Sequence, residues 1–371
     1  MAIAMLASSL AVLLLSLPAA DASRNDSTMN PLLEDLDLER SWGTLSVDFY
    51  AQSCPELELL GVDMIFRSLQ ADPSLASGLI RLYFNDCFLQ GCDASILLKG
   101  PWSEERFPAN QGMNQKAMQL IETVRVAVHH ACGPVVSCAD ILAVAAREAV
   151  NAAGGVPPVM PLGRLDSLAP AIFRDASILP PPGTEQAAVV LDAFAKRGYF
   201  NKAQDVVALL GGHSVGKAHC QSFNDRFGRP GDAFGQELRD LFWLQPLDET
   251  TPNDLDAAYF VNLRNGKGVL TYEATLMNNP ETAAAVRLYS VNQQQFLRDF
   301  CRTDQRQGQH PRAWRDSKVW LQQDQLRKFH FHPRPGGFVL ISQNISSPHL
   351  LLGSFASLLV FDQIKRNNKT A

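Results

Sequence analysis

The sequence predicts an all-α fold, and three features predict it. Apolar residues recur at helical spacing through 56–70, at Leu59, Leu60, Met64, Ile65 and Leu69, and segment 116–130 reads as a further helix. Segment 136–150 is apolar almost all round and rich in small residues, the pattern of a helix buried on every side. Between such segments the chain is full of breakers, as in 154–166 and in Leu179-Pro-Pro-Pro182.

The chain has 371 residues, 46% apolar and 19% charged, with a formal charge of −5, enough for one large domain or two smaller ones. That balance gives no support to a nucleic-acid partner. Residues 1–22 carry a leucine-rich core, the helix breaker Pro18 and the small-x-small run Ala20-Asp21-Ala22, so a cleaved signal peptide and a secreted product are expected. No later segment reaches the roughly 18–20 consecutive apolar residues a membrane span needs. Residues 23–44 are polar and read as a flexible segment, with a glycan acceptor at Asn25; Asn344 and Asn368 are further acceptors.

The folded part is expected to begin near Leu45. A helix over 56–70 is followed by another from about Ser74, on which Arg81, Phe84 and Asn85 stand at i, i+3 and i+4 and so share one face. Past it, Asp86, Gly91, Asp93 and Ser95 cluster around Cys87 and Cys92, closely spaced oxygen donors of the kind a hard cation such as Ca²⁺ accepts. Taken singly, each residue is ordinary for an amphipathic helix running into an acidic turn. Segment 101–114 is a polar loop holding Glu104 and Asn110. An apolar helix is expected over 205–220, opened by a capping-type Asp205 and carrying Gly211 and Gly212 just before His213, where a flat cofactor could approach the backbone; His219 is expected to face solvent. An acidic turn follows at 248–256, and a Gly266-Lys-Gly268 turn precedes Tyr272-Glu273. Beyond residue 300 the character changes: 301–371 hold 11 Lys+Arg against 4 Asp+Glu, leaving 22 against 34 for the rest, a switch from −12 to +7.

The run Arg81-Leu-x-Phe-x-Asp-Cys-Phe-x-x-Gly-Cys-Asp-Ala-Ser95 resembles the distal haem helix and first calcium loop of the secretory plant-type (class III) haem peroxidases, and 205–220 is similar to their proximal helix. The resemblance covers about 45–300 and implies two helical lobes with haem b between them, leaving 301–371 as a divergent tail. It implies Arg81, Phe84 and the residue at 85 above the iron, His213 as axial ligand below it, and Glu273 at the position of a carboxylate that accepts the ligand's other N–H, the family's residue there being aspartate. It implies two Ca²⁺ ions. The first is held by Asp86, Asp93, Ser95, the carbonyls of Leu89 and Gly91, and Glu104 through water; the second by Ser214, Asp248, Thr251, the carbonyl of Asp254, and Asp256. Cys54–Cys132 and Cys87–Cys92 are the implied disulfides, Cys138 and Cys220 sit at family positions without their usual partners, Cys301 is the seventh cysteine, and Pro180 is implied at the substrate opening. Hydrogen peroxide and small phenolic donors are the implied substrates, outside the cell and on a monomer.

Two departures matter. Leu165 replaces a usual arginine, and Asn85 stands where the family has a histidine, the base that moves the peroxide proton. A carboxamide is not protonated near neutral pH and only donates or accepts hydrogen bonds. Tyr83, on another face of the helix, is no substitute. Two readings stay open: a peroxidase slowed by Asn85, or a non-catalytic haem- and calcium-binding relative.

Overall fold

The computed structural model describes residues 45–171, 186–198, 202–240 and 244–308. The leader, the segment 23–44, Pro180 and the chain beyond 308, with the expectations attached to them, lie outside the described residues. The described part is helical, as expected, with one two-stranded antiparallel ribbon joining β1 (Lys217–His219) to β2 (Leu244–Pro246).

One apolar core is built by a π turn at Leu57–Gly61 and by helices α1 (Val62–Ala71), α2 (Leu75–Leu89), α3 (Gln115–Cys132) and α4 (Cys138–Ala152). A second is built by α5 (Ala187–Ala195), α6 (Ala203–Leu210), α7 (Ala233–Asp240), α8 (Ala258–Arg264), α9 (Thr271–Thr275), α10 (Pro280–Tyr289) and α11 (Gln293–Gly308). α2 belongs to both. Its Leu79, Leu82 and Tyr83 are buried in the first core, Phe88 and Leu89 in the second, and Ile80 packs against each. α4 accommodates it with Ala139, Ala143, Ala145, Ala146 and Ala149, all at most 1% exposed, so that the backbones approach closely.

Local signals set the helix ends. The Asn114 side chain accepts from the N–H groups of Lys116 and Ala117 at the start of α3, Ser137 from Asp140 at α4, and Asn279, followed by Pro280, from Glu281 and Thr282 at α10. The first lobe is pinned by a fully buried ion pair, Arg164 Nη1 to Asp140 Oδ1 at 3.0 Å. The Asp140 carboxylate also accepts from Tyr50 Oη at 2.8 Å and Gly163 N at 2.7 Å, which offsets its desolvation. Both expected disulfides are present, Cys54–Cys132 and Cys87–Cys92.

Two expectations about element boundaries are corrected. The single helix over 205–220 is instead α6, a 3₁₀ turn at Gly211–Ser214 and then β1, because Gly216 has φ +106°, a conformation that ends a right-handed helix. Asp205 is no cap: it is buried in the first turn of α6 and faces Arg302 and Arg306, each at 3.5 Å. His219 is exposed, though as a strand residue.

The second correction concerns residue 300, where the folded body does not stop. α11 continues to Gly308 with Thr303, Asp304, Gln307 and Gly308 buried. Gln307 Nε2 donates to the Phe84 carbonyl of α2 at 2.9 Å, and Arg164 Nη2 to the Gly308 carbonyl at 3.2 Å. Burial pushes the Asp304 carboxyl up to about 7, against the pull of Arg164. Raised above its unfolded value, that group stabilises the fold fully below the ordinary carboxylate pKa, and the contribution is lost as pH climbs through about 7. A chain ending at Gly308 is therefore expected to melt as the full chain does. One ending at Phe300 leaves Asp205 buried without its cations, a defect worth about 3–5 kcal/mol, and calorimetry should show a lower Tm. Equal melting of the two truncations would contradict this account of 301–308.

Candidate active site

On one face of α2, Asn85 is 5% exposed and donates from Nδ2 to Asn110 Oδ1 at 2.8 Å, while Asn110 Nδ2 donates to the Glu104 carbonyl at 2.9 Å. The polar loop thus holds the Asn85 amide by its NH₂ end. The Arg81 guanidinium donates to the carbonyls of Ala109 and Gln111, each at 3.0 Å, and burial pulls its pKa below the ordinary value. Phe84 stacks on Phe88 and Phe194 at 5.2 and 6.0 Å between ring centroids. Tyr83 points away from this face, 1% exposed, its hydroxyl against Met160 Sδ.

The opposite wall is the 3₁₀ turn Gly211–Ser214. His213 Nδ1 lies 2.7 Å from Glu273 Oε1, which also accepts from Tyr259 Oη at 2.9 Å, while Glu273 Oε2 accepts from Leu270 N at 2.8 Å. The carboxylate oxygen facing Nδ1 suits the tautomer in which Nδ1 donates the ring proton and Nε2 keeps its lone pair. Nε2 makes no hydrogen bond among the described residues. The extra methylene of Glu273 still leaves a 2.7 Å contact to His213 Nδ1, and Gly268 lets its segment pack against the backbone of Glu273 and Ala274, where an added Cβ would stand 2.9–3.0 Å away. The expectation that Gly211 and Gly212 clear space for a cofactor is corrected. A Cβ on Gly211 would lie 2.2 Å from Phe296, so this glycine admits the aromatic face of α11, whereas one on Gly212 would meet Phe300 at 3.4 Å, an ordinary contact.

Similarity to known proteins identifies the family. The peroxidase family model matches residues 62–292. The cationic peroxidase SPC4 of Sorghum bicolor is 40% identical over 281 residues, covering 71% of this chain and 77% of its own. Peroxidase 47 of Arabidopsis thaliana is 40% identical over 268 residues (69% and 80%), and peroxidase C2 of Armoracia rusticana 34% over 299 (75% and 86%). The chain belongs to the plant-type haem peroxidase family.

Haem is the group this family implies, and the residues present fit it: an imidazole held by a buried carboxylate offers an Nε2 with no hydrogen bond among the described residues, and a half-buried guanidinium is held on α2. Two carboxylate clusters flank the site. In the first, Asp86 accepts from Ala94 N at 2.9 Å and Ile96 N at 3.3 Å, Asp93 from Ser95 N at 3.1 Å, and Glu104 Oε1 from Ala171 N at 2.6 Å. Burial raises the pKa of all three, with Asp93 adding to the rise at Asp86. Ser95 Oγ and Glu104 Oε2 are buried with no hydrogen-bond partner. Buried like charges with orphaned oxygens suit a hard cation. The Leu89 carbonyl expected to join them already accepts from Arg197 Nη1 at 2.6 Å, leaving one lone pair.

In the second cluster the Thr251 hydroxyl is 3.1 Å from both Asp248 Oδ2 and Asp256 Oδ1, yet has one proton to give. Ser214 Oγ donates to the Asp256 carbonyl at 3.1 Å. Burial, then Asp248 and Asp254, raise the Asp256 carboxyl. Ser214 follows His213 directly, so order in this cluster passes to the ligand turn. Neither Tyr259 nor Gln307 shows in the sequence, since each acts through a distant partner, and Gln307 also falls in the stretch read as divergent.

Chelation with EDTA is expected to lower the melting temperature by about 5–10 °C when calcium was present at about 100 times its Kd, with recovery on adding Ca²⁺. An unchanged melt, with elemental analysis finding no calcium, would contradict both cation sites.

Proposed function

We propose that this chain is a secreted haem- and calcium-binding peroxidase that uses hydrogen peroxide to oxidise small phenolic donors outside the cell, and that Asn85 makes its peroxide step slow. Haem b held by His213 would supply the oxidising chemistry. Glu273, by holding the Nδ1 proton, raises the basicity of the ligand and steadies oxidised iron. Arg81 would meet the negative charge that develops as the O–O bond breaks. The missing part is the proton: a group above the iron must take one from peroxide and return it to the departing oxygen, and an amide does neither.

The observation that carries the reading is the 2.8 Å hydrogen bond from Asn85 to Asn110, which sets the Asn85 side chain where a distal base is expected while leaving the rest of the site in order. The same bond also favours the second reading, a haem protein with no turnover. Asn85→His separates them. An imidazole with an ordinary pKa of about 6.5 could donate Nδ1–H to Asn110 Oδ1 and present Nε2 as base. Stopped-flow mixing with H₂O₂ should then show a reaction at least about 10²-fold faster than in the parent, with haem content unchanged. A haem-loaded variant no faster than the parent would overturn the distal assignment.

A further inference from the structure

The last turn of an α-helix leaves its carbonyls without intrahelical N–H donors and carries the negative end of the helix dipole, so a cation is favoured there. α2 has no basic residue of its own in that turn. The cation comes instead from 108 positions further along the chain. Arg197 follows the end of α5, where Gly198 at φ +83° turns the chain away, and its Nη1 donates to the carbonyl of Leu89, the last residue of α2, at 2.6 Å. The guanidinium carbon lies over the Phe88 ring, 5.1 Å from the centroid, and Phe194 of α5 meets the same ring edge-on at 4.9 Å. Arg197 is 8% exposed, so its charge is held at the end of α2 with little water to screen it. The same carbonyl is expected among the oxygens of the first cation site. An ion there would take the second lone pair of the Leu89 oxygen, and with a calcium–oxygen bond of about 2.3–2.6 Å two positive centres would face each other across one atom.

We infer that Arg197 sets the affinity of the first cation site: it stands in for the ion at the end of α2 when calcium is absent, and it weakens calcium when calcium binds. The inference rests on the reading of Asp86, Asp93 and Ser95 as a calcium site. With a protein cation already on its carbonyls, α2 keeps its last turn in calcium-poor surroundings. The ion, sharing an oxygen with a buried guanidinium, is held more loosely than its carboxylates alone would hold it.

The test is a calcium titration of the full-length, haem-free chain followed by NMR. The backbone amides of Ala94 and Ile96, which donate to Asp86, report on the first site, and those of Thr250 and Thr251, which donate to Asp248, on the second. Arg197→Gln keeps a side-chain N–H for Leu89 and removes the charge, whereas Arg197→Met removes both. Each is expected to bind calcium at the first site at least about 10-fold more tightly than the parent, because like charges a few ångströms apart in a buried setting repel strongly, with the second site unchanged. A measurement on the parent alone tests the stand-in: in EDTA the amides of residues 86–89 should stay protected from hydrogen exchange. Unchanged or weaker first-site binding in both variants, an equal gain at both sites, or loss of protection at 86–89 in the calcium-free parent would overturn the role of Arg197 and leave the calcium site standing. If calcium moves the first-site reporters in none of the three proteins, the calcium reading fails and the inference with it.

Discussion

Everything in this molecule is arranged around a helix that cannot face water. α2 is shared between two apolar cores, so its few polar side chains emerge only where the cores part. There it presents Arg81, Phe84 and Asn85 to the cleft, and its last turn carries Asp86 and Cys87 into the loop closed by the Cys87–Cys92 disulfide. A helix held on both flanks has little freedom to rotate or slide, which is what a site with tolerances of a fraction of an ångström requires. The alanines of α4 on one side and Gln307 of α11 on the other complete the grip.

Around that helix, the buried carboxylates sort by how many donors they meet. Asp140 and Glu273 are satisfied by cations, hydroxyls or N–H groups and serve as fixed anchors. Asp86, Asp93 and Glu104 have backbone donors but no protein cation, and burial raises their pKa. Such groups must either take up protons or share a metal. The loop that follows α2 and the turn that carries His213 each adjoin a cluster of carboxylates, the first with Glu104 Oε2 lacking a hydrogen bond among the described residues and the second held by Thr250, Thr251 and Asn262.

Most of the architecture was legible in the sequence because it is written in short-range patterns. The helical spacing of 56–70 and the closely spaced donors of 86–95 need no distant partner to be read. The misreadings share a cause. Gly211 and Gly212 looked like a clearing for a cofactor, whereas their neighbours Phe296 and Phe300 lie more than 80 residues away in sequence and only packing brings them together. Residues 301–308 looked foreign by charge, yet Arg302 and Arg306 answer the buried Asp205, nearly 100 positions earlier. Arg197 carried no motif, and its place beside Leu89 follows from the fold alone.

The proposal stands or falls on His213, held by Glu273, serving as the iron ligand of a chain that carries Asn85 where a base is expected. Resonance Raman spectroscopy of the haem-loaded, reduced protein tests it most directly, through the stretching vibration of the bond between iron and the imidazole nitrogen. Glu273 draws on the Nδ1 proton and so strengthens that bond, and Glu273→Gln, which keeps the size but not the charge, should lower the frequency. An unchanged frequency in Glu273→Gln, or a spectrum that His213→Ala leaves as it was, would contradict the account.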